Sequence, residues 1–379
     1  MRLAPFAMKD ADTEGRRFPE KRHSYRSDYQ RDRDRVIHTK AFRRLEKKTQ
    51  VFGPDYSDHF RNRLTHTIEV SQISRTISQS LGLNTELCEV LSLCHDIGHP
   101  PYSHHGERVL NRIMKEHGSG FEHNLHALRI VEDFEEKYVS FRGLNLTFEV
   151  REGIIKHSRD YEVGEVPYID ISEYRLEERP PLEAQLIDLA DEIAYNTADL
   201  DDGYDSGFLN LDQLRGHLTL FREVFDRIDR EFPGAPEKLK VSESVKGIID
   251  YLVTALIDNT QKILSANGIQ SVDSVRKCPF RLVAFDSNTR EKNQELKQFL
   301  HDHLYDHDVL KAAMRRAQRE LEEIFEYYLA EPEMLPESHR SRISKIGLQR
   351  VVCDYIAGMT DPFARAKHSE VLSFSSVER

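Results

Sequence analysis

Residues 85–107 read Thr85-Glu86-Leu87-Cys88-Glu89-Val90-Leu91-Ser92-Leu93-Cys94-His95-Asp96-Ile97-Gly98-His99-Pro100-Pro101-Tyr102-Ser103-His104-His105-Gly106-Glu107. Leu87, Val90, Leu91 and Cys94 recur at helical spacing, Thr85 caps the start, and Gly98 with Pro100-Pro101 stops the helix. His95 and Asp96 stand at that stop. Neighbours inside a helix diverge by about 100°, but at a helix end beside a cleft both can tilt onto one ion. Upstream, Leu64, Ile68, Ile73, Ile77 and Leu81 form a second apolar stripe, closed by Gly82 as a C-cap.

Downstream the same helical grammar continues. Val109, Ile113 and Met114 mark a helix ending near Gly118, Leu125 to Phe134 mark another, and Thr147 opens a third through Ile155. A helix through Leu182, Leu186, Leu189 and Ile193 ends at Gly203, and further helices are expected near 210–231, 240–267, 287–305, 308–330 and 347–358. Only 279–286 looks strand-like. No βαβ alternation or internal repeat appears, so the expected fold is all-α, a helical bundle with at most a short β-hairpin. Its expected divisions are a basic N-terminal arm (1–35), a core (36–232) and, after the Phe232-Pro233-Gly234-Ala235-Pro236 linker, a C-terminal helical region (233–379) packed on the core.

Composition narrows the class. The chain has 379 residues, 39% hydrophobic and 31% charged, with a net charge of −11. This is a globular composition, neither disordered nor membrane-embedded. Residues 1–50 carry 15 Lys/Arg against 8 Asp/Glu, a net +7, so the remainder carries −18. Such an arm can contact phosphates or an acidic partner surface; charge alone favours the plainer reading of a solvated, salt-bridged helix. Cys88, Cys94, Cys278 and Cys353 form neither a C-x-x-C pair nor a disulfide framework. With no apolar signal region and no run approaching ~18 apolar residues, a cytoplasmic protein without membrane attachment is expected.

Nine of the 18 histidines fall between His59 and His126. Imidazole is the commonest metal ligand and titrates near neutrality. A His-Asp dipeptide alone is weak evidence, but it has companions. His66 lies on the 64–81 helix, and Asp191 interrupts the apolar turn Leu189-Ala190-Asp191-Glu192-Ile193, where a carboxylate is costly unless paired or bound to metal. Two imidazoles and two carboxylates from three helices suit a six-coordinate ion better than structural zinc.

With these residues in view, the chain resembles the HD-domain metal-dependent phosphohydrolases, whose four-ligand signature His66, His95-Asp96 and Asp191 match. Arg35-Val36-Ile37-His38, Ala41-Phe42-Arg43-Arg44-Leu45, Lys48-Thr49-Gln50-Val51, Arg63-Leu64-Thr65-His66 and Phe121-Glu122-His123-Asn124 look like its deoxyguanosinetriphosphate triphosphohydrolase branch. The likeness runs over residues 25–370. Tyr102, Ser103 and His126 stand where that family more often has Phe, Gly and Gln.

The resemblance implies an HD-domain bundle that hydrolyses a deoxynucleoside triphosphate to deoxynucleoside and tripolyphosphate, by water attack on the α-phosphorus. It implies a divalent metal ion, Mn2+ or Mg2+ first, with Co2+, Ni2+ or Fe2+ also compatible. His123 is expected as general acid or phosphate partner, with His104 and Glu107, spaced i, i+3, positioning the nucleophile. Gln50, Arg63, His99, Tyr195 and Asp199 are the expected substrate contacts. Tyr195 would pack on the deoxyribose, Asp199 bond the 3′-hydroxyl, and Arg63 clamp phosphate with its two-pronged guanidinium. His59, His105, His117 and His126 are read as structural. A nucleotide activator and a homo-oligomer, tetramer or hexamer, are implied; nucleic acid is not. Two alternatives remain open: an HD nucleotidase or phosphodiesterase acting on another nucleotide, and a nucleic-acid-binding or regulatory protein that keeps the metal site as scaffold. No P-loop, H-E-x-x-H or G-x-S-x-G motif is present.

Overall fold

In the computed structural model, residues 3–51, 60–166 and 168–377 are described; His59 lies outside them. The helices of the first half are α1 Asp28–Ile37, α2 Lys40–Arg44, α3 Arg63–Leu81, α4 Thr85–Cys94, α5 Ser103–Glu116, α6 His123–Arg129, α7 Phe148–Ile155 and α8 Leu182–Asp205. Those of the second half are α9 Leu211–His217, α10 Thr219–Glu231, α11 Glu237–Ala266, α12 Val272–Arg276, α13 Ser287–Leu300, α14 Asp308–Ala330, α15 Glu337–Arg340, α16 Ile343–Ile346, α17 Leu348–Ala357 and α18 Asp361–Val377. The fold is all-α, with isolated bridges but no strand among the described residues. No described helix is long and apolar enough to cross a membrane.

The chain forms two compact units. One comprises Met1–Thr13, Ile68–Ser92 and Glu178–Lys311; the other comprises Glu14–Thr67, Leu93–Glu177 and Ala312–Arg379. In the first, α11 packs on α8 and α10, and α13 on α8. Ile248, Leu252 and Leu256 of α11 are buried with Leu186, Ile193 and Leu200 of α8. Gly247 lets α10 and α11 approach, since a Cβ there would lie 2.7 Å from Val224 Cγ1. The Phe232–Pro236 turn joins α10 to α11 inside this unit.

Segment 279–286 is irregular rather than a strand. Its backbone finds partners in side chains: the Leu282 N–H donates to Gln185 Oε1 at 2.8 Å, and Asn259 Nδ2 donates to the Ala284 carbonyl at 2.7 Å. With Leu282, Val283 and Phe285 buried as well, the segment has no need of a second strand to pair with.

The second unit is built around α5. Val109, Leu110, Ile113 and Met114 lie on one face and pack with Leu321, Ile324 and Phe325 of α14 and Val351, Val352 and Ile356 of α17. At about 1.5–3 kcal/mol for each fully buried large side chain, this face anchors the helix that carries His104 and Glu107 at its first turn. From Glu14 onward the basic arm is stitched into this unit. Arg16 bonds Asp32 and donates to the Asn145 carbonyl at 2.6 Å, and Asp32 accepts from Thr147 N and Oγ1. Arg35 pairs with both oxygens of Glu20 and donates to the Leu144 carbonyl. For these arginines the plain, paired reading is the observed one.

Candidate active site

Helix α4 ends at Cys94, so His95 and Asp96 lie in the following turn, free of the angular divergence a helix would impose. His66 comes from the first turn of α3. The donor atoms of His66, His95 and Asp96 all lie within 4.8 Å of one another, and all three residues are buried. His95 Nε2 is 3.5 Å from Asp96 Oδ1, and His66 Nε2 is 4.0 Å from Asp96 Oδ2. Two imidazoles and a carboxylate at this separation are a donor set that can hold a divalent ion, as HD domains do, so the residues present fit the expected group.

Arg63, 1% exposed, bonds Asp96 Oδ2 at 2.6 Å and the Ser103 hydroxyl. His99 Nδ1 lies 3.0 Å from Asp96 Oδ1. Burial works against the Asp96 charge, but Arg63, His95 and His99 hold its carboxyl well below the usual range. Burial, reinforced by Arg63 and His123, lowers His99, which is neutral near pH 7. The expected phosphate clamp, Arg63, is thus committed to Asp96 and Ser103.

A second set continues from the first. The His99 and His123 rings stack at 3.9 Å. Glu107 Oε1 accepts the His123 backbone N–H at 2.8 Å and faces the ring Nδ1 at 2.8 Å. His104, exposed, has Nδ1 3.5 Å from Glu107 Oε2. Burial opposes ionisation of Glu107, yet His123 and His104 drive its carboxyl far below the ordinary carboxylate range. This carboxylate is therefore a permanent acceptor, which places the His123 ring proton on Nδ1 and leaves Nε2 for chemistry.

The backbone supporting these groups is special. Tyr102 and Ser103 both have positive φ, +63° and +59°, each costing of order 1 kcal/mol for a residue with a side chain. Asp361 holds this corner through Tyr102 N and Thr49 N, each at 2.9 Å. Serine at position 103 has the conformation glycine tolerates more easily, and its hydroxyl receives Arg63 in return. Gly98 is required by contact: a Cβ there would lie 2.0 Å from the His123 carbonyl.

The remaining expected residues are placed as follows. Asp191, Tyr195 and Asp199 are on α8, in the other compact unit. Asp199 is buried and accepts the Tyr305 hydroxyl. Burial, then Glu192, Asp191 and Asp199, raise the Tyr195 phenol. Gln50 Oε1 is buried with no hydrogen-bond partner among the described residues. His126 is buried between Phe121 and Phe134, and His117 stacks on Phe325, as structural residues do.

Sequence reasoning passed over two neighbours. His157, 4% exposed, sets its ring 5.4 Å from that of His95, and Asn124 Nδ2 donates to its carbonyl at 2.7 Å. It stands two residues beyond α7, with Lys156 between, and no helix-end dipeptide like His95-Asp96 marks it in the sequence. Lys48 donates to the carbonyls of His99 and Ala357; burial, then Arg44, pushes its ammonium down to about 7.

Comparison with known proteins accords with this geometry. Residues 63–196 match the HD domain and residues 283–370 a phosphohydrolase-associated domain. Proteins named deoxyguanosinetriphosphate triphosphohydrolase-like are similar over nearly the whole chain. That of Geobacter sulfurreducens is 46% identical over 96% of this chain and 93% of its own. The chain belongs to the deoxyguanosinetriphosphate triphosphohydrolase-like family. The family relative from Thiobacillus denitrificans is 44% identical over 99% of this chain and 98% of its own, and that from Leptospira interrogans 40% over 96% and 94%. Membership places the chain among the HD phosphohydrolases, and His66, His95 and Asp96 all fall within the HD match.

Proposed function

We propose that the protein hydrolyses deoxynucleoside triphosphates, dGTP among them, to deoxynucleoside and tripolyphosphate. The observation carrying this reading is the buried His66, His95, Asp96 set lying beside the His123–Glu107 pair, in a chain of this family. In the proposal His66, His95, Asp96 and Asp191 hold the divalent ion, Mn2+ or Mg2+ first. A bound ion lowers the pKa of water and polarises a phosphoryl oxygen.

The protein's own groups do the rest. Glu107 accepts the Nδ1 proton of His123 and so aims Nε2 outward. Protonated at Nε2, His123 delivers that proton to the departing 5′-oxygen, a role worth about 10²–10⁴ in rate. His104 with Glu107 positions the attacking water. Arg63 supplies fixed positive charge beside Asp96 at the phosphate end, and His99 lines it. Tyr195 packs on the deoxyribose, leaving no room for a 2′-hydroxyl, Asp199 takes the 3′-hydroxyl with Tyr305 orienting it, and Gln50 reaches the sugar or base edge. Assembly as a tetramer or hexamer, and response to a nucleotide activator, belong to the same proposal and are checked by sizing in solution with and without dNTP.

The test is incubation of purified protein with each dNTP and Mn2+ or Mg2+, products separated by ion exchange. Equimolar nucleoside and tripolyphosphate are expected. Orthophosphate or a nucleoside monophosphate would replace this mechanism with that of another HD nucleotidase or phosphodiesterase, and absence of turnover with any pairing would favour a binding protein. His123→Ala is expected to keep its metal and lose turnover by about 10²-fold or more; wild-type kcat in that variant would remove His123 from the chemistry.

A further inference from the structure

The turn that carries His99 supplies few backbone donors of its own, because Pro100 and Pro101 follow directly and have no N–H. Two buried side chains from outside the turn make up for this. Lys48, 3% exposed, donates from Nζ to the His99 carbonyl and, at 3.3 Å, to the Ala357 carbonyl. Asp361, 1% exposed and the first residue of α18, accepts the Tyr102 N–H on Oδ1 and the Thr49 N–H on Oδ2. All of these residues belong to one compact unit. We propose that Lys48 is a positioning residue for the hydrolysis proposed above: by clasping the His99 carbonyl it holds the His99 ring against that of His123.

The main chain of Lys48 is itself fixed. Its carbonyl accepts the Arg63 N–H at 3.1 Å, and Thr49 is bridged to Asn62. The residue is therefore anchored to the start of α3, which bears Arg63 and His66, while its side chain reaches the turn that bears His95, Asp96 and His99. One residue sets the register between these two stretches.

Burying a lysine is costly, and an apolar side chain would fill the same space without that cost. What the lysine gains is reach, to carbonyls 51 and 309 positions away. Ala357 is the last residue of α17, where helix carbonyls lack partners in their own helix and a cation is favoured. The carboxylates of Asp361 and Asp96 favour the ammonium, and Arg44 and Arg63 oppose it. Ammonium and neutral amine both carry the two N–H groups that these carbonyls need, so the clasp holds in either state.

His99 is held at both its peptide groups: its N–H donates to the Asp96 carbonyl at 3.1 Å, and its carbonyl accepts from Lys48. Its ring then covers the face of His123 at 3.9 Å, while Glu107 holds the His123 Nδ1 edge. Gly98 leaves no room for even a Cβ beside the His123 carbonyl, so a shift of this turn passes directly to the start of α6. Lys48 touches none of the reacting groups; it acts through His99.

The test is Lys48→Met in the full chain, with two independent readouts. In EDTA at about pH 8, where an imidazole is ordinarily neutral, the ring protons of histidine-labelled protein are followed by NMR, with His123 assigned by its loss in His123→Ala. The stacked His99 ring shields the His123 protons, and Lys48→Met is expected to move them downfield. With dNTP and Mn2+, kcat should fall at least about 10-fold, since a misplacement of about 1 Å can cost about 10²-fold. KM should stay within about 3-fold of wild type, the pattern of a loss confined to the transition state. Bound Mn2+ should equal that of wild type, because the substituted side chain does not touch His66, His95 or Asp96. Lys48→Gln keeps N–H donors on a shorter stem and replaces the methionine variant if that does not fold; a kcat loss of at least about 5-fold is expected. A lower unfolding midpoint with wild-type kcat, a lower kcat with unmoved His123 protons, or loss of Mn2+ would each overturn the positioning role. A wild type that releases no tripolyphosphate would remove the proposed reaction, and the His123 spectrum would still decide whether Lys48 places His99.

Discussion

Replacing Arg63 by Met isolates the electrostatics of the site. Arg63 and Asp96 are 1% and 3% exposed and bonded at 2.6 Å. Removing the cation leaves a buried carboxylate with only imidazoles beside it, His95 and His99 nearest and His66 at 4.0 Å, and breaking a buried pair in this way costs about 3–5 kcal/mol. The Ser103 bond adds about 1 kcal/mol, while the imidazoles offset part of the loss, so a net of about 3 kcal/mol is expected in metal-free protein. Thermal unfolding in EDTA should show a midpoint drop of roughly 6 °C, at about 2 °C per kcal/mol for a large chain. Asp96→Asn added to Arg63→Met removes the stranded charge and should recover about 2 kcal/mol, a coupling that a double-mutant cycle reads directly. Saturating Mn2+ should also narrow the deficit of the single variant, because the ion replaces the missing positive charge and stabilises whatever it binds. An Arg63→Met midpoint equal to wild type in EDTA, or no recovery in the double variant, would refute the view that Asp96 is held ionised by Arg63.

Glu183 gives a pH-dependent prediction. It is buried, accepts from Met8 N at 3.0 Å and Asn84 N at 2.9 Å, and burial pushes its carboxyl up to about 7. A carboxyl raised above its unfolded value contributes stability that is full below about pH 4.5 and is lost as pH rises to about 7, roughly 3 kcal/mol in all. Glu183→Gln should flatten that slope in denaturant titrations from pH 5 to 8; an unchanged slope would contradict it. Gly98→Ala forces a methyl against the His123 carbonyl and Ala127 N, 2.0 and 2.5 Å from the added carbon. It should cost about 1–3 kcal/mol and lower kcat at unchanged Mn2+ content; wild-type kcat would show that the start of α6 tolerates displacement. Tyr195→Ala should erode discrimination between dGTP and GTP, measured as the ratio of kcat/KM values.

Much of the fold was legible because helices are written in local periodicity. The 64–81 stripe became α3, with Gly82 at φ +70° closing it, and Thr147 stands at the start of α7. The helices expected over 125–134 and 287–305 each finish as a π-helical turn, Ile130–Phe134 and His301–Tyr305. Segment 279–286 looks strand-like in sequence because Leu282, Val283 and Phe285 are apolar for burial, while the partners of the Leu282 and Ala284 backbone, Gln185 and Asn259, lie 97 and 25 residues away.

The site divides along the same line. His66, His95 and Asp96 were legible from composition and from helix endings, since buried ionisable groups demand a partner or an ion. His157 and the commitment of Arg63 were not, because they depend on which side chains meet. The sequence by itself determined an all-α chain and which imidazoles and carboxylates are available for chemistry, for these follow from spacing and residue type. Only the tertiary structure decided that Arg63 serves Asp96, that Glu107 divides its oxygens between His123 and His104, and that His99 keeps a buried nitrogen without a hydrogen-bond partner among the described residues. The contacts of Arg63 with Asp96 at 2.6 Å and of Glu107 with His123 at 2.8 Å join residues that local periodicity does not relate.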